Sequence, residues 1–477
     1  MSRTPPPALL WLRQDLRTAD HPALHAVAEQ PVLPVYVLDE SDPWAPGGAA
    51  RWWLHHSLAA LGEKLAALGA PLLLLRGKAA DLIPELAEAM GAAEVHASRL
   101  YEPWARQRDA GIATALEGEG RRLHLHSGAT LLEPHRLRTG QGRPYSVYTP
   151  FARAVLALGD PPPPIPAPKT LRAAPPPRKG LALEALDLLP RPPRPDWAAA
   201  FPEYWTPGEA GAAARLRDFA ATAAEGYDRG RDIPGEDLTA RLSPHLHWGE
   251  VSPRQAWHAV AGGGKSGGRI TWLKEILWRE FAYHTLWHRP ELPDTPLRPE
   301  FANFPWQPDE GLLQAWRRGR TGYPIVDAGL RQLWRHGWMH NRVRMVVGSL
   351  LVKHLLQPWQ QGSLWFWDTL VDADLAANSM NWQWVAGSGI DASPYFRVFN
   401  PILQGEKFDP EGRYVRHFVP ELARLPDAWL HRPWQAPDSV LRAAGLRLGQ
   451  DYPAPIVDHE GGRGRALAAL AALKAAE

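Results

Sequence analysis

The sequence predicts an α/β domain of parallel βαβ units, Rossmann-like in class, joined by a long linker to an all-α domain. Three observations predict it. From residue 8 to about residue 130, short apolar runs alternate with helical stretches. Between residues 159 and 207, clusters of proline interrupt every regular pattern. Beyond them, apolar residues recur at helical spacing nearly to the end of the chain. The boundaries that follow are 1–130 for the first domain, 131–206 for the linker and 207–477 for the second domain.

The strand-like runs cover residues 8–12, 32–38, 71–75, 94–96 and 122–126, each short and bounded by turn-forming residues. Between the second and third, Trp53, Leu54, Leu58, Leu61, Leu65 and Leu68 repeat close to every 3.6 residues, so residues 51–68 form a helix that covers one sheet face and stops at Gly69. No Gly-x-Gly-x-x-Gly follows the first strand, so the ordinary dinucleotide fingerprint is missing. In the linker, prolines at 161–164, 175–177 and within 191–195 oppose helix and central strand alike. The second domain then offers helices at 208–225, 253–261, 271–287, 324–336, 341–356 and 365–370, and an Ala/Leu-rich one at the end.

The chain has 477 residues, enough for two or three domains with substantial cores, and its 45% hydrophobic and 22% charged content excludes disordered and fibrous classes. It contains no cysteine, which removes disulfide frameworks, thiolate metal sites, iron–sulfur clusters and cysteine nucleophiles together. A reducing compartment follows, so the protein is expected in the cytoplasm, associated with the nucleoid if it is bacterial. No secretory leader or membrane-spanning run is legible, and no membrane partner is expected. The net charge of +2 gives no global basic field, so any polyanion site must be a local patch. Tryptophan is the outlier, 23 residues against 11 Tyr and 11 Phe. Most serve as core packing; the sharper reading is stacking or electron transfer.

Two motifs imitate ligand sites. Gly262-Gly263-Gly264-Lys265-Ser266 looks like a phosphate loop, but Ala259 stands where glycine is required and a helix precedes it instead of a strand. His284 and His288 lie four apart on one helix without the usual glutamate or a third ligand, so no metal is expected. Chemistry concentrates elsewhere. Glu275, Trp278 and Arg279 share one helix face. Pro324 opens a helix and Gly337 closes it, and the next helix presents Asn341, Arg344 and Met345 together, with Gly348 leaving room for another helix or a flat ring. Residues 372–384 then gather Asp372, Asp374, Asn378, Trp382 and Trp384. If helical, they place Asp374 and Asn378 one turn apart, with Arg344 as partner for the buried carboxylates.

Taken together, Trp11-Leu12-Arg13-Gln14-Asp15-Leu16-Arg17, Trp278-Arg279-Glu280-Phe281, Thr321-Gly322-Tyr323-Pro324-Ile325-Val326-Asp327-Ala328, Trp338-Met339-His340-Asn341-Arg342, the stretch 391–401 and Gln404-Gly405-Glu406-Lys407 resemble the photolyase/cryptochrome flavoproteins, most closely the class I cyclobutane pyrimidine dimer photolyases. The resemblance spans nearly the whole chain. It implies a FAD, active as FADH−, in the helical domain. Tyr227, Thr239, Ala240, Arg241, Leu242, Ser243, Trp272, Glu275, Arg279, Asn341, Arg344, Asp372, Asp374 and Asn378 would hold it, Ala240 standing where a hydroxyl residue is usual. It implies ultraviolet-damaged DNA as substrate, a pyrimidine dimer flipped out of the duplex and met by Glu275, Trp278, Asn341, Met345, Asn378 and Trp384. Arg231, Trp278, Arg342, Arg397 and Gln404 would contact the DNA, and Trp306, Trp359 and Trp382 would relay electrons to the flavin. The implied reaction is light-dependent dimer repair by electron transfer from excited FADH−. The alternative is a blue-light cryptochrome without repair, which Asn378 and the aromatic pocket disfavour. A monomer is implied, and a second, antenna chromophore of unspecified identity is left open, with Glu102 as a contact for a pterin.

Overall fold

The computed structural model describes residues 5–190, 196–390 and 396–475. Five parallel strands, β1 (Ala8–Leu12), β2 (Pro31–Leu38), β3 (Leu73–Arg76), β4 (Glu94–Ser98) and β5 (Arg122–His126), form a sheet in the order β3-β2-β1-β4-β5. Register is continuous across the centre, with Ala8 beside Val32 on one side and Glu94 on the other. Successive side chains of β1 enter opposite layers. Leu10 and Leu12 pack with α1 (Pro22–Val27) and α2 (Gly48–Leu68), whereas Leu9 and Trp11 pack with α3 (Ala79–Ala89) and α4 (Pro103–Gly118). Burial on both faces explains why the strands read as apolar runs rather than alternating ones. Helix α2 ends where Gly69 takes a left-handed conformation, φ 102°, with a backbone N–H returned to Ala66 and Leu65.

The stretch between sheet and helical domain is not devoid of regular structure. Tyr148–Leu156 forms α5, and Arg172–Ala173 adds a short parallel strand, β6, beside β2. The proline cluster at 191–195 lies outside the described residues.

The helical domain continues through α6 (Glu209–Thr222), α7 (Tyr227–Gly230), α8 (Ser243–His247), α9 (Pro253–Ala261), α10 (Gly267–His288), α11 (Glu310–Arg317), α12 (Pro324–His336), α13 (Asn341–Ser349), α14 (Trp359–Thr369), α15 (Leu375–Ala386) and α16 (Pro401–Phe408), and further helices follow. Helix α9 opens with a capping box in which Ser252 and Gln255 exchange hydrogen bonds. Several predicted helices differ in extent, among them those expected over 208–225 and 51–68, observed as α6 (Glu209–Thr222) and α2 (Gly48–Leu68). Helix α10 starts four residues early because the Ser266 side chain caps it, and α14 starts at Trp359, directly after Pro358. The stretch predicted as one helix over 341–356 is α-helical to Ser349 and continues as a π-helical turn, Leu350–His354.

Buried charge fastens the two domains. Arg17, 1% exposed, donates to the carbonyls of Asp20 (2.8 Å), Gly128 (3.1 Å) and Gly249 (2.8 Å), joining the first domain, the chain that leaves it and the helical domain. The Asp20 carboxylate in turn accepts from Arg254 at 2.6 Å and from the Ile165 N–H at 3.0 Å. Arg17→Ala would strand three buried carbonyls at once, so it is expected to lower unfolding stability by about 3–5 kcal/mol. Guanidinium unfolding of both proteins tests this, and a loss below about 1 kcal/mol would contradict a fastening role.

Candidate functional site

Helices α13, α14 and α15 line a pocket that opens to solvent. Asn341, Arg344, Met345, Asp372, Asp374, Asn378, Trp382 and Trp384, all singled out in the sequence, line it. Arg344 donates to both oxygens of Asp372, at 2.9 and 3.2 Å, and its Nε donates to the Met339 carbonyl at 2.8 Å. Asp374 is not on the helix with Asn378, as the spacing suggested, but is its N-cap: one oxygen accepts from the Ala377 N–H at 2.9 Å and the other from the Tyr283 hydroxyl at 2.5 Å. Burial alone would raise the Asp374 carboxyl; His247, the Arg279 guanidinium and the Tyr283 hydroxyl outweigh it and hold the group well below the usual carboxylate range. Asn378 donates its amide N–H groups to the Ser363 carbonyl (3.1 Å) and hydroxyl (3.0 Å) on α14, which fixes the orientation of its carboxamide.

Small residues shape the walls. A Cβ on Gly362 would stand 2.1 Å from the Trp382 ring, so only glycine admits this indole. Gly348 lines the cavity, but a Cβ there would first meet Val385 at 3.3 Å, so its missing side chain serves contact with α15. The donor set fits a flavin nucleotide: a guanidinium anchored by a carboxylate, a second ionised carboxylate, an oriented amide, and a space flanked by Gly348, Ala373 and Ala377.

The other predicted cofactor residues surround this cavity without lining it. Tyr227, Ala240, Leu242 and Trp272 belong to the core behind α10, where Tyr227 and Trp272 both pack on Phe219. Arg215, which sequence reasoning missed, secures the 239–243 loop by donating to the carbonyls of Thr239 (2.8 Å) and Ala240 (3.1 Å). Arg241, at φ 47°, and Arg344 both face the Trp338 ring, whose N–H donates to Ser243 at 3.3 Å, so one indole ties the loop to the cavity wall. Arg279 reaches Asp374 through Tyr283, and its firmest bond is to the Ala129 carbonyl at 2.6 Å.

Glu275 is ion-paired with Arg231, and Arg342 with Asp232 at 2.8 Å, so two predicted DNA contacts sit in one charge cluster with the predicted catalytic acid. Burial pushes the Glu275 carboxyl up, against the lowering effect of Arg231. Trp278 stacks face to face on Tyr148 of α5, centroids 3.5 Å apart and planes within 5°. The linker therefore covers one face of this indole, a contact its proline-rich composition concealed. Arg397 is exposed beside Phe399, and Gln404 is half-buried on α16; residues 391–395 of the same motif lie outside the described residues. Trp359 and Trp382 share a hydrophobic core against which Trp306 packs, and Trp316, not singled out in the sequence, meets Trp382 edge-on at 6.4 Å.

A second cavity, about 760 Å³, opens at the C-terminal ends of β1, β2 and β4, where strand order reverses and α/β sheets bind ligands. Trp11, Trp44, Trp104, Glu102 and Arg108 line it, together with Ala373 and Leu375 from the helical domain.

His284, one of the metal look-alikes, directs both ring nitrogens to linker backbone, Nδ1 to the Pro134 carbonyl and Nε2 to the Tyr145 N–H, each at 3.0 Å. On the same helix, Glu280 accepts from the N–H groups of Leu131 and Leu132, and burial raises its carboxyl from about 4.5 to about 7. The folded protein then holds a proton that the unfolded chain has lost between about pH 4.5 and about pH 7, so this group makes stability fall as pH rises through that window. Glu280→Gln is expected to flatten that fall, by up to about 1.4 kcal/mol per pH unit. Unfolding midpoints measured across the window check it; identical pH slopes in both proteins would refute it.

Residues 8–169 match the family profile described as DNA photolyase, and residues 272–472 that of the FAD binding domain of DNA photolyase. The deoxyribodipyrimidine photo-lyase of Agrobacterium fabrum is 50% identical, covering 99% of this chain and 99% of its own. Cryptochrome-1 of Arabidopsis thaliana is 37% identical over 97% of this chain and 70% of its own. The crystal structure of a bacterial class III photolyase from Agrobacterium tumefaciens superposes with a TM-score of 0.96 at 50% identity, covering 99% of each chain. The chain therefore belongs to the photolyase/cryptochrome family, and its helical part is the family's FAD-binding domain.

Proposed function

We propose that this chain is a deoxyribodipyrimidine photo-lyase, which repairs cyclobutane pyrimidine dimers in DNA under light. The observation that carries the reading is half-identity, end to end, with a protein of that name, joined to a cavity whose donors suit a flavin. Repair is favoured over light sensing because the cryptochrome relative is more distant. For the subclass we propose class III rather than the class I suggested by the motifs, on the identity with a solved chain of that class.

FAD, when bound and reduced, supplies light-driven transfer of one electron to the dimer, which splits and returns it. The Arg344–Asp372 pair, Asp374 and Asn378 would hold the flavin ring, and the 239–243 loop secured by Arg215 would meet the phosphates through backbone N–H groups. A dimer flipped from the duplex would rest against Asn341, Met345 and Trp384, with Trp278 stacking on it through the face turned from Tyr148. Glu275 would exchange Arg231 for a carbonyl of the dimer. Burial raises its carboxyl, and once Arg231 is displaced a protonated Glu275 would donate a hydrogen bond as negative charge builds on the base. Arg397 faces solvent and suits a phosphate directly, whereas Arg231 and Arg342 would trade carboxylate for phosphate, and Gln404 would contact the backbone nearby. Trp382, Trp359 and Trp306 would pass electrons inward to the flavin. The second cavity, lined by five indoles, suits an aromatic antenna chromophore with Glu102 among its lining residues. The enzyme would act as a monomer on DNA, in the cytoplasm or nucleoid. No helix among the described residues is long and apolar enough to cross a membrane.

With reduced flavin, dimers in ultraviolet-irradiated oligothymidine should disappear under blue light and persist in darkness. Dimers that persist in light, with FAD bound and reduced, would overturn the reading in favour of a light sensor. Replacing Glu275 and Trp278 together with alanine should cut the repair yield at least about tenfold. Trp382→Phe should abolish photoreduction of oxidised flavin while leaving repair by chemically reduced protein intact.

A further inference from the structure

At the free edge of the sheet, far along the chain from the flavin site, four ligand-type side chains share one face of β4 and β5. Glu94 and His96 are two apart on β4, and His124 and His126 two apart on β5, so each pair projects to the same side. Parallel register sets His96 beside His124. The Glu94 carboxylate lies between two imidazoles, one oxygen 3.3 Å from His96 Nε2 and the other 3.4 Å from His124 Nε2. All three donor groups fall within 4.8 Å of one another. We propose that Glu94, His96 and His124 bind a single divalent transition-metal ion of the zinc type, with solvent completing the coordination.

Geometry is the first support. Imidazole and carboxylate donors bound to zinc at about 2.1 Å in a tetrahedron stand about 3.4 Å apart, which is the spacing from this carboxylate to both histidines. The surroundings are the second. His96 is buried, and its Nδ1 lies 2.9 Å from His126 Nε2; an Nδ1–H donated to His126 leaves the Nε2 lone pair directed at Glu94, which is how metal-binding histidines are oriented. The His96 ring is also stacked against both His124 and His126, which limits its rotation. His124 Nε2 is buried and forms no hydrogen bond, although the Glu94 carboxylate stands 3.4 Å away, a spacing that leaves room for an ion between them. Glu94 is half-exposed, which gives an ion a route in and leaves a coordination position to water. Two imidazoles and a carboxylate suit zinc and its neighbours rather than calcium or magnesium. The bound ion would cross-link β5, the last strand of the sheet, to β4. Helical spacing along the chain could not suggest this site, because its ligands come from two different strands.

The test uses the flavin-loaded protein without an affinity tag, titrated with Zn²⁺ by calorimetry and with Co²⁺ by visible absorption. The expected result is one equivalent of Zn²⁺, the d–d bands of four-coordinate Co²⁺, and a higher melting temperature with metal. Glu94→Gln and His124→Ala should each weaken Zn²⁺ binding at least about a hundredfold while flavin absorbance is unchanged, and His126→Ala should weaken it about tenfold. Glu94→Gln preserves size at a half-exposed position, so a loss of binding there is not a folding effect. Absence of saturable binding, or binding that survives both Glu94→Gln and His124→Ala, would overturn the proposal.

Discussion

The arrangement of this molecule rests on charges buried where its two domains meet. Burying a carboxylate or guanidinium is costly unless every proton and lone pair finds a partner. Here the partners come from three separate parts of the chain. Arg17 spends its donors on carbonyls of Asp20, Gly128 and Gly249. Glu250 accepts from the Trp53 indole at 3.0 Å and the Gly208 N–H at 2.7 Å, while Glu209 accepts from the Thr18 and Ala19 N–H groups. An apolar interface of equal area could slide by one side chain at small cost, whereas these bonds have direction. Such a joint suits a protein whose second cavity draws its walls from both domains.

The same logic operates inside the helical domain, where the polar groups that line the cavity are tied to neighbouring elements. Asp374 begins α15 and accepts from Tyr283 on α10; Asn378 leans on Ser363 of α14; Arg344 on α13 holds Asp372. Four helices thereby fix one cavity, and each bond orients a side chain without blocking the space. Glu275 is the exception, since its cationic partner Arg231 occupies the position a ligand would need.

Much of the fold was legible because its boundaries are written in local chemistry. The helices Pro253–Ala261 and Pro324–His336 were read to the residue, the first from apolar periodicity, the second from Pro324 at its start and Gly337 at its end, which the structure shows in the left-handed conformation. Strands β1 and β5 were equally plain. Helix α5 was not, since prolines around it masked a short amphipathic stretch, and with it went Tyr148, whose stacking on Trp278 joins positions far apart in sequence. Asp374 was mistaken for a helical residue because an N-cap and a first turn look alike in spacing. Arg215 carried no signal at all: a lone arginine on a helix reveals nothing of the carbonyls it will hold. In general, one-element features were visible and contacts between elements were not, unless a family resemblance supplied them.

One feature of the walls bears on how light energy could move through such a molecule. The turn at residues 372–375 is shared: Ala373 lines both cavities, and Asp372 and Leu375 each line one. Ala373 is the residue that the two linings have in common. Two coloured molecules lodged in these cavities would share that residue as a wall, so a change in this segment would act on both sites. Passage of excitation between them would depend on their separation and on the relative tilt of their transition dipoles. Both would be held constant by the buried charges that lock one domain against the other.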